Sequence, residues 1–285
     1  MSTSLIDLPV LIKQVRDLTP LPPTTVRLAE LAGNPKSDLE DAAEVIMYDQ
    51  ALTLKLLRAA NSAAYGTVVP AACVLDALIR LGSAQVLALA VASNVKSSLQ
   101  TKVPAYDLGE GALWRHSVAA AAAAETVQLY GKVPAPPGTF AAALLHDIGK
   151  LVMGRFLDAE IISYIRRAQE AEKLDRSGAE SLLLEVHHGE LGGLIAQNWK
   201  LPPRIVQGIT YHHNPDEGMD VICDLTYLAD QFAKFIEAGL DGQEPKLTIL
   251  PSVAERLQLT PKTAAELCAT ATERYEKVSQ RYNSV

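Results

Sequence analysis

The chain is 285 residues long, with 48% hydrophobic and 21% charged residues, the balance of an ordinary folded protein, which excludes disorder and collagen-like repeats. Its 26 basic and 33 acidic residues leave a net charge of −7, and no Lys/Arg cluster stands out. That argues against a broad nucleic-acid surface, because such surfaces are built from clustered cations.

The N-terminal stretch MSTSLIDLPVLIKQVRDL places Asp7, Lys13 and Arg16 where a signal peptide needs a long apolar core. Pro22-Pro23 predicts the start of a helix carrying Val26, Ala29, Leu31 and Ala32 on one face and ended by Gly33-Asn34-Pro35. Ser37-Asp38 then offers an N-cap, with Asp41 and Glu44 in the first turns. The next apolar recurrence, Ala51, Leu54 and Leu57 with Leu56, predicts another helix. It runs into ANSAAYG, read either as a capped terminus with Gly66 just past the helix or as a docking edge formed by Asn61, Ser62 and Tyr65. The longest charge-free span, Ala59 to Leu75, is interrupted by Asn61, Gly66 and Pro70 and falls short of the roughly 20 apolar residues of a membrane span. Val86, Leu89 and Ala90 mark a further helix. The expectation is a cytoplasmic protein without membrane contact.

Polar, Pro- and Gly-containing stretches punctuate the remainder at Thr101 to Gly111, Gly131 to Gly138 and Gly239 to Pro251. Between them, Ala119 to Ala124 reads as a tightly packed helix, and Lys200-Leu-Pro-Pro-Arg repeats the Pro entry before Ile205. Period-2 alternation is nearly absent, so the fold class expected is all-α, a two-lobed helical bundle. Its parts would be an N-terminal bundle over 1–106, a histidine-bearing bundle over 107–240, and a C-terminal helical appendage over 241–285. Cys73, Cys223 and Cys268 sit in no metal or redox spacing and read as small buried apolar residues.

All six histidines lie between His116 and His213, about a third of the chain. In order, the metal-competent groups are His116 in LWRHS, His146-Asp147 in ALLHDIGK, His187-His188 in EVHHGELGG, His212-His213 in ITYHHNP, and Asp230 in YLADQF. Imidazole nitrogen with carboxylate oxygen suits Zn, Fe, Mn or Ni. Adjacent residues on a helix point about 100° apart. His146 and Asp147 could therefore reach one ion from two sides, or Asp147 could bridge two ions. Taken singly, each residue is as well explained as a packed or surface side chain.

The string ALLHDIGK, with a helical His upstream and a helical Asp downstream, resembles the HD superfamily of metal-dependent phosphohydrolases. With LPPTTVRLAELAGNP, YDQALTLKLLRAANSAAYG, DALIRLGSAQVLALAV and HGELGGLIAQNWKLPPRIVQGITYHH included, residues 15 to 240 resemble the HD-related output domain, HDOD, family. The resemblance implies an HD-like core in the second half and a role in bacterial signalling, in a family most of whose members have lost their metal ligands. It implies His116, His146, Asp147 and Asp230 as the four-ligand set, and His188, His212 and His213 as the additional histidines of binuclear relatives. His187 falls outside the pattern.

The implied cofactor is one or two divalent transition-metal ions (Fe, Mn, Ni or Zn), an empty inherited pocket being the alternative. The implied partner is a signalling protein or a small phosphorylated ligand, with no nucleic acid. Were the protein an enzyme, Asp147 would hold the ion that activates an attacking water, and Lys150 would bring a cation to the phosphate oxygens. The Gly-Tyr-Pro signature of cyclic di-GMP phosphodiesterases is missing after His213, and Ala112 stands where those enzymes tend to carry a carboxylate. Cyclic di-GMP is therefore a disfavoured substrate.

Overall fold

The computed structural model describes residues 6–16, 20–32, 36–62 and 70–282. Among them the secondary structure is helical, with one isolated bridge, Val103 to Leu108, in place of any strand. The all-α expectation therefore holds. The first half carries α1 (Leu8–Arg16), α2 (Pro23–Ala32), α3 (Leu39–Met47), α4 (Gln50–Ala60), α5 (Val74–Leu81) and α6 (Ser83–Leu99). Asp38 caps α3 as expected, accepting from the Asp41 amide at 2.9 Å while Asp41 reaches back to the cap amide. Gly33-Asn34-Pro35, and the Tyr65 and Gly66 of ANSAAYG, lie outside the described residues.

Two readings of this half are corrected. The buried face of α4 is Leu52, Leu56 and Ala60, whereas Ala51 and Leu54 are exposed. Helix α4 meets α3, α5 and α6 along one narrow stripe, and 51 and 54 fall on its outer side. Cys73 is exposed because its sulfur serves as the N-cap of α5, accepting from the Asp76 amide at 3.4 Å, a task done at the surface end of a helix. Cys223 and Cys268 are buried as expected. Asn61 reaches across to Ala71, exchanging two hydrogen bonds of 3.0 and 2.6 Å with its main chain.

The second half begins with α7 (Ala112–Tyr130) and continues through α8 (Thr139–Leu145), α9 (Lys150–Met153), α10 (Ala159–Glu172), α11 (Arg176–Leu184) and α12 (His188–Asn198). It closes with α13 (Pro203–Thr210), α14 (Pro215–Gly218), α15 (Val221–Leu240), α16 (Pro251–Arg256) and α17 (Pro261–Tyr282). Helix α7 is the axis: α6, α8, α15 and α17 all pack on it, and Ala119 to Ala124 are buried without exception. Small side chains permit that crowding, since only a methyl group stands between backbones. Helix α1 packs on α9 and α12, bringing the first helix onto the histidine-bearing half. Among the described residues no single helix is long and apolar enough to cross a membrane. Only α5 and α6 together reach that composition, and they are bent by 107°.

A candidate metal centre

Five elements deliver the site. His116 comes from the first turns of α7, His146 and Asp147 from the turn after α8, and His188 from the first position of α12. His212 and His213 follow α13, and Asp230 sits midway along α15. The approach of these elements depends on glycine. A Cβ on Gly149 would lie 1.9 Å from the His188 carbonyl oxygen, and one on Gly193 would lie 1.9 Å from Thr210 Oγ1. HDIGK and HGELGG thus read as close-contact surfaces as well as ligand strings.

His116, His146, Asp147, His188, His212 and Asp230 are buried, and His213 is half-buried. They form two groups that share Asp147: His116, His146 and Asp147, and Asp147, His188, His212 and His213. Within each group the potential ligand atoms lie within 4.8 Å of one another. Asp147 Oδ2 stands 3.5 Å from His116 Nε2 and 3.4 Å from His146 Nε2. Its Oδ1 faces the other way, 3.3 Å from His188 Nε2 and 3.8 Å from His212 Nε2. Asp230 Oδ1 completes the first group, 3.2 Å from His116 Nε2.

The far side of each ring decides which nitrogen is available. His146 Nδ1 donates to the Ala143 carbonyl and His212 Nδ1 to the Ile209 carbonyl, both at 2.7 Å; a carbonyl only accepts, so those nitrogens carry the hydrogen. His188 Nδ1 donates to Glu180 at 2.7 Å and His116 Nδ1 to Glu237 at 2.8 Å. In the neutral tautomers every one of these Nε2 atoms presents a lone pair inward, the arrangement that outer carboxylates and carbonyls impose on metal-ligating imidazoles. The lone pairs converge: His116 Nε2 stands 3.1 Å from His146 Nε2, and His213 Nε2 stands 2.8 Å from His188 Nε2. His212 Nε2 is buried with no hydrogen-bond partner among the described residues. Convergent, partly orphaned acceptors of this kind call for a cation between them, and the donor set fits a divalent transition-metal ion.

The electrostatics divide the rings: three are drawn towards protonation by nearby carboxylates, and two are held neutral. Burial alone would push every imidazole down; for His116, the bonds to Asp230 and Glu237 outweigh it and raise the ring to about 10. His146 and His188 are also raised, against burial, by Asp147 and Glu180 respectively. His212 and His213 go well below the usual range, through burial and the charge of neighbouring histidines. They remain neutral and ready to donate a lone pair. Asp147 and Asp230 stay ionised despite burial, helped first by Lys150 and Lys234.

Those two lysines complete the rim. Lys150 Nζ bonds Asp147 Oδ2 at 2.5 Å, so its ammonium is held by the carboxylate, and Lys234 Nζ bonds Asp230 Oδ2 at 2.6 Å. His187 stands apart: it is the N-cap of α12, its Nδ1 accepting from the Gly189 amide, with Glu190 closing the capping box. Glu180, Glu237 and Lys234 escape a reading for ligand types. A helical-face reading finds the latter two, because Asp230, Lys234 and Glu237 lie at i, i+4 and i+7 on α15.

The HDOD domain family matches this chain over residues 18–215. An uncharacterized protein of Treponema pallidum is 25% identical over 239 residues, 81% of this chain and 44% of that protein, so the chain spans less than half the length of this relative. The crystal structure of an HDOD domain protein of unknown function from Geobacter sulfurreducens superposes with a TM-score of 0.60 at 22% identity, covering 98% of this chain and 95% of that one. A provisionally named phosphohydrolase from Shewanella amazonensis gives 0.58 at 24% identity, covering 95% and 100%. At such identities the likeness is one of fold. With the family matched over more than half its length, the chain belongs to the HDOD family.

Proposed function

We propose that this HDOD protein holds a divalent transition-metal ion (Fe, Mn, Ni or Zn) in its His/Asp cluster and acts as a signalling module, by sensing a ligand or engaging a protein partner. One observation carries the metal: four histidines have Nδ1 tied to an acceptor and Nε2 aimed at a shared centre. Membership of the HDOD family supports the signalling role. His146 and His212 are 0% exposed and Asp147 1%, and Lys150 and Lys234 cover the two aspartates at the rim. The test is elemental analysis of protein purified with and without oxygen, wild type against His146→Ala. Stoichiometric metal, lost in the variant, is the expected result; metal-free wild type from both preparations overturns the reading.

A second reading, a metal-dependent phosphohydrolase acting on a nucleotide or another phosphate ester, is favoured by Asp147 alone. Its two oxygens face different histidine groups, as a carboxylate bridging two ions would. Bound ions would supply a Lewis acid and an activated water. Asp147 would keep the two positions at fixed spacing, and Lys150 would hold positive charge beside them. Assays of nucleotides and generic phosphate esters with Mn, Fe or Ni, comparing Asp147→Asn, test it; turnover that survives the substitution refutes this role.

A further inference from the structure

The segment between α6 and α7 is a closed strap. Val103 and Leu108 exchange main-chain hydrogen bonds of 2.9 and 3.2 Å, the short turn Pro104–Tyr106 stands between them, and the Gly111 amide ties the strap's ends by donating to Gln100 O at 2.8 Å. Two arginines fasten it to the second half. Arg166 Nη2 donates to both carboxylate oxygens of Asp107, at 3.1 and 2.9 Å, an exposed contact.

Arg176 is placed differently. Its Nη2 donates to the Ala105 carbonyl at 2.9 Å, and its guanidinium lies 4.7 Å from the centre of the Tyr106 ring. Its Nε donates to Glu180 Oε1 at 3.0 Å. Glu180 is wholly buried, and its other oxygen accepts from both the amide and Nδ1 of His188, at 3.0 and 2.7 Å. The Tyr106 ring meets the His188 ring edge-on, with centres 5.8 Å apart. One rigid planar group therefore joins the strap to the carboxylate that orients a candidate ligand. A guanidinium fork has a fixed geometry, so a strap displaced by an ångström has to give up either the Ala105 bond or the Glu180 bond. A buried carboxylate that loses its cation is strongly destabilised, which leaves little room for half-broken states.

We infer that Arg176 and Glu180 couple the α6–α7 strap to the metal position built on His188, so that filling this position clamps the strap. The inference rests on the metal reading above and assigns both residues a positioning role. Coupling between two sites is reciprocal: whatever loosens the strap weakens the ion by the same factor.

Hydrogen exchange of the strap peptide, measured on the full chain, tests it. The protein is stripped with chelator, then loaded anaerobically with Fe²⁺, Mn²⁺ or Zn²⁺ in parallel. Wild type is expected to show exchange over residues 100–111 slowed about fivefold or more by the ion. Arg176→Lys keeps a positive charge beside Glu180 but cannot fork to Ala105. It is expected to bind the ion about fivefold more weakly and to lose the ion-dependent slowing. Glu180→Gln, which removes the charge and keeps the shape, serves as the second variant. Equal slowing in wild type and in variants that still bind metal overturns the coupling alone, as does an ion that binds wild type without slowing the strap. Wild type that takes up none of the three ions overturns the metal reading and the coupling with it.

Discussion

Gly149 follows the His146-Asp147 pair and presses directly against α12, with the His188 oxygen at 1.9 Å and the Gly192 amide nitrogen at 2.7 Å from where a Cβ would sit. Both are main-chain atoms, so neither can swing aside. Ordinary contact begins at 3.4 Å, so Gly149→Ala forces α12 back by about 1.5 Å, at an overpacking cost of about 1–3 kcal/mol. That retreat carries His188 Nε2, now 3.3 Å from Asp147 Oδ1, to about 5 Å, whereas two donors each about 2.0–2.2 Å from one ion stand at most about 4.4 Å apart. The substitution should therefore split the site. The position on His116, His146 and Asp147 survives, and the one joining Asp147 to His188 is lost. Elemental analysis paired with thermal unfolding checks this, with a fall in Tm of about 2–4 °C per kcal/mol expected for a chain of this size. A variant with wild-type Tm and wild-type metal content would refute the argument that this contact sets the spacing of the two groups.

His187→Ala removes the N-cap of α12 and should cost about 1 kcal/mol in denaturant unfolding while leaving metal content unchanged; lost metal would make His187 a ligand. Arg256 forks to the buried Asp224 at 2.9 and 2.6 Å, and although Arg256 is itself half-exposed, Arg256→Ala should destabilise the chain by about 2 kcal/mol, with a change under about 0.5 kcal/mol as the contrary result. His116, raised to about 10, holds a proton at neutral pH that an incoming ion must displace, so metal affinity should rise between about pH 6 and pH 9. Calorimetry in two buffers of different ionisation enthalpy measures the released protons; affinity that is flat with pH contradicts the prediction.

The helical class was legible in the sequence because its signals are local. The Asp38 cap and the Pro entries at 23 and 203 are short-range steric and hydrogen-bonding facts that tertiary packing left alone. The inner ring of the site was legible because histidine is rare, six in the chain and all between His116 and His213, and His146 stands directly beside Asp147. Its outer ring was not. Glu180 and Glu237 are ordinary acids in sequence, and their pairing with His188 and His116 spans 8 and 121 residues, set by how α11 meets α12 and α15 meets α7. The face of α4 was misjudged because its apolar residues cover more than half the helix circumference. Only the neighbours decide which of them turn inward.

Six consecutive alanines make α7 a smooth shaft, with almost the same methyl surface in every direction. Over that stretch no bulky ridge marks an azimuth, so the rotation of the helix is fixed from outside it, by the buried Leu113, Trp114 and Val118 before the alanines and Val127 after them. Two polar pairs on either side of the alanines add to that keying: His116 on Glu237 of α15, and Glu125 on Arg274 of α17. The keys lie nine residues apart, about 13.5 Å along the axis. The helix that carries the first histidine is thus seated in part by an ion pair with the last helix, which makes the C-terminal segment a brace for the site rather than an appendage.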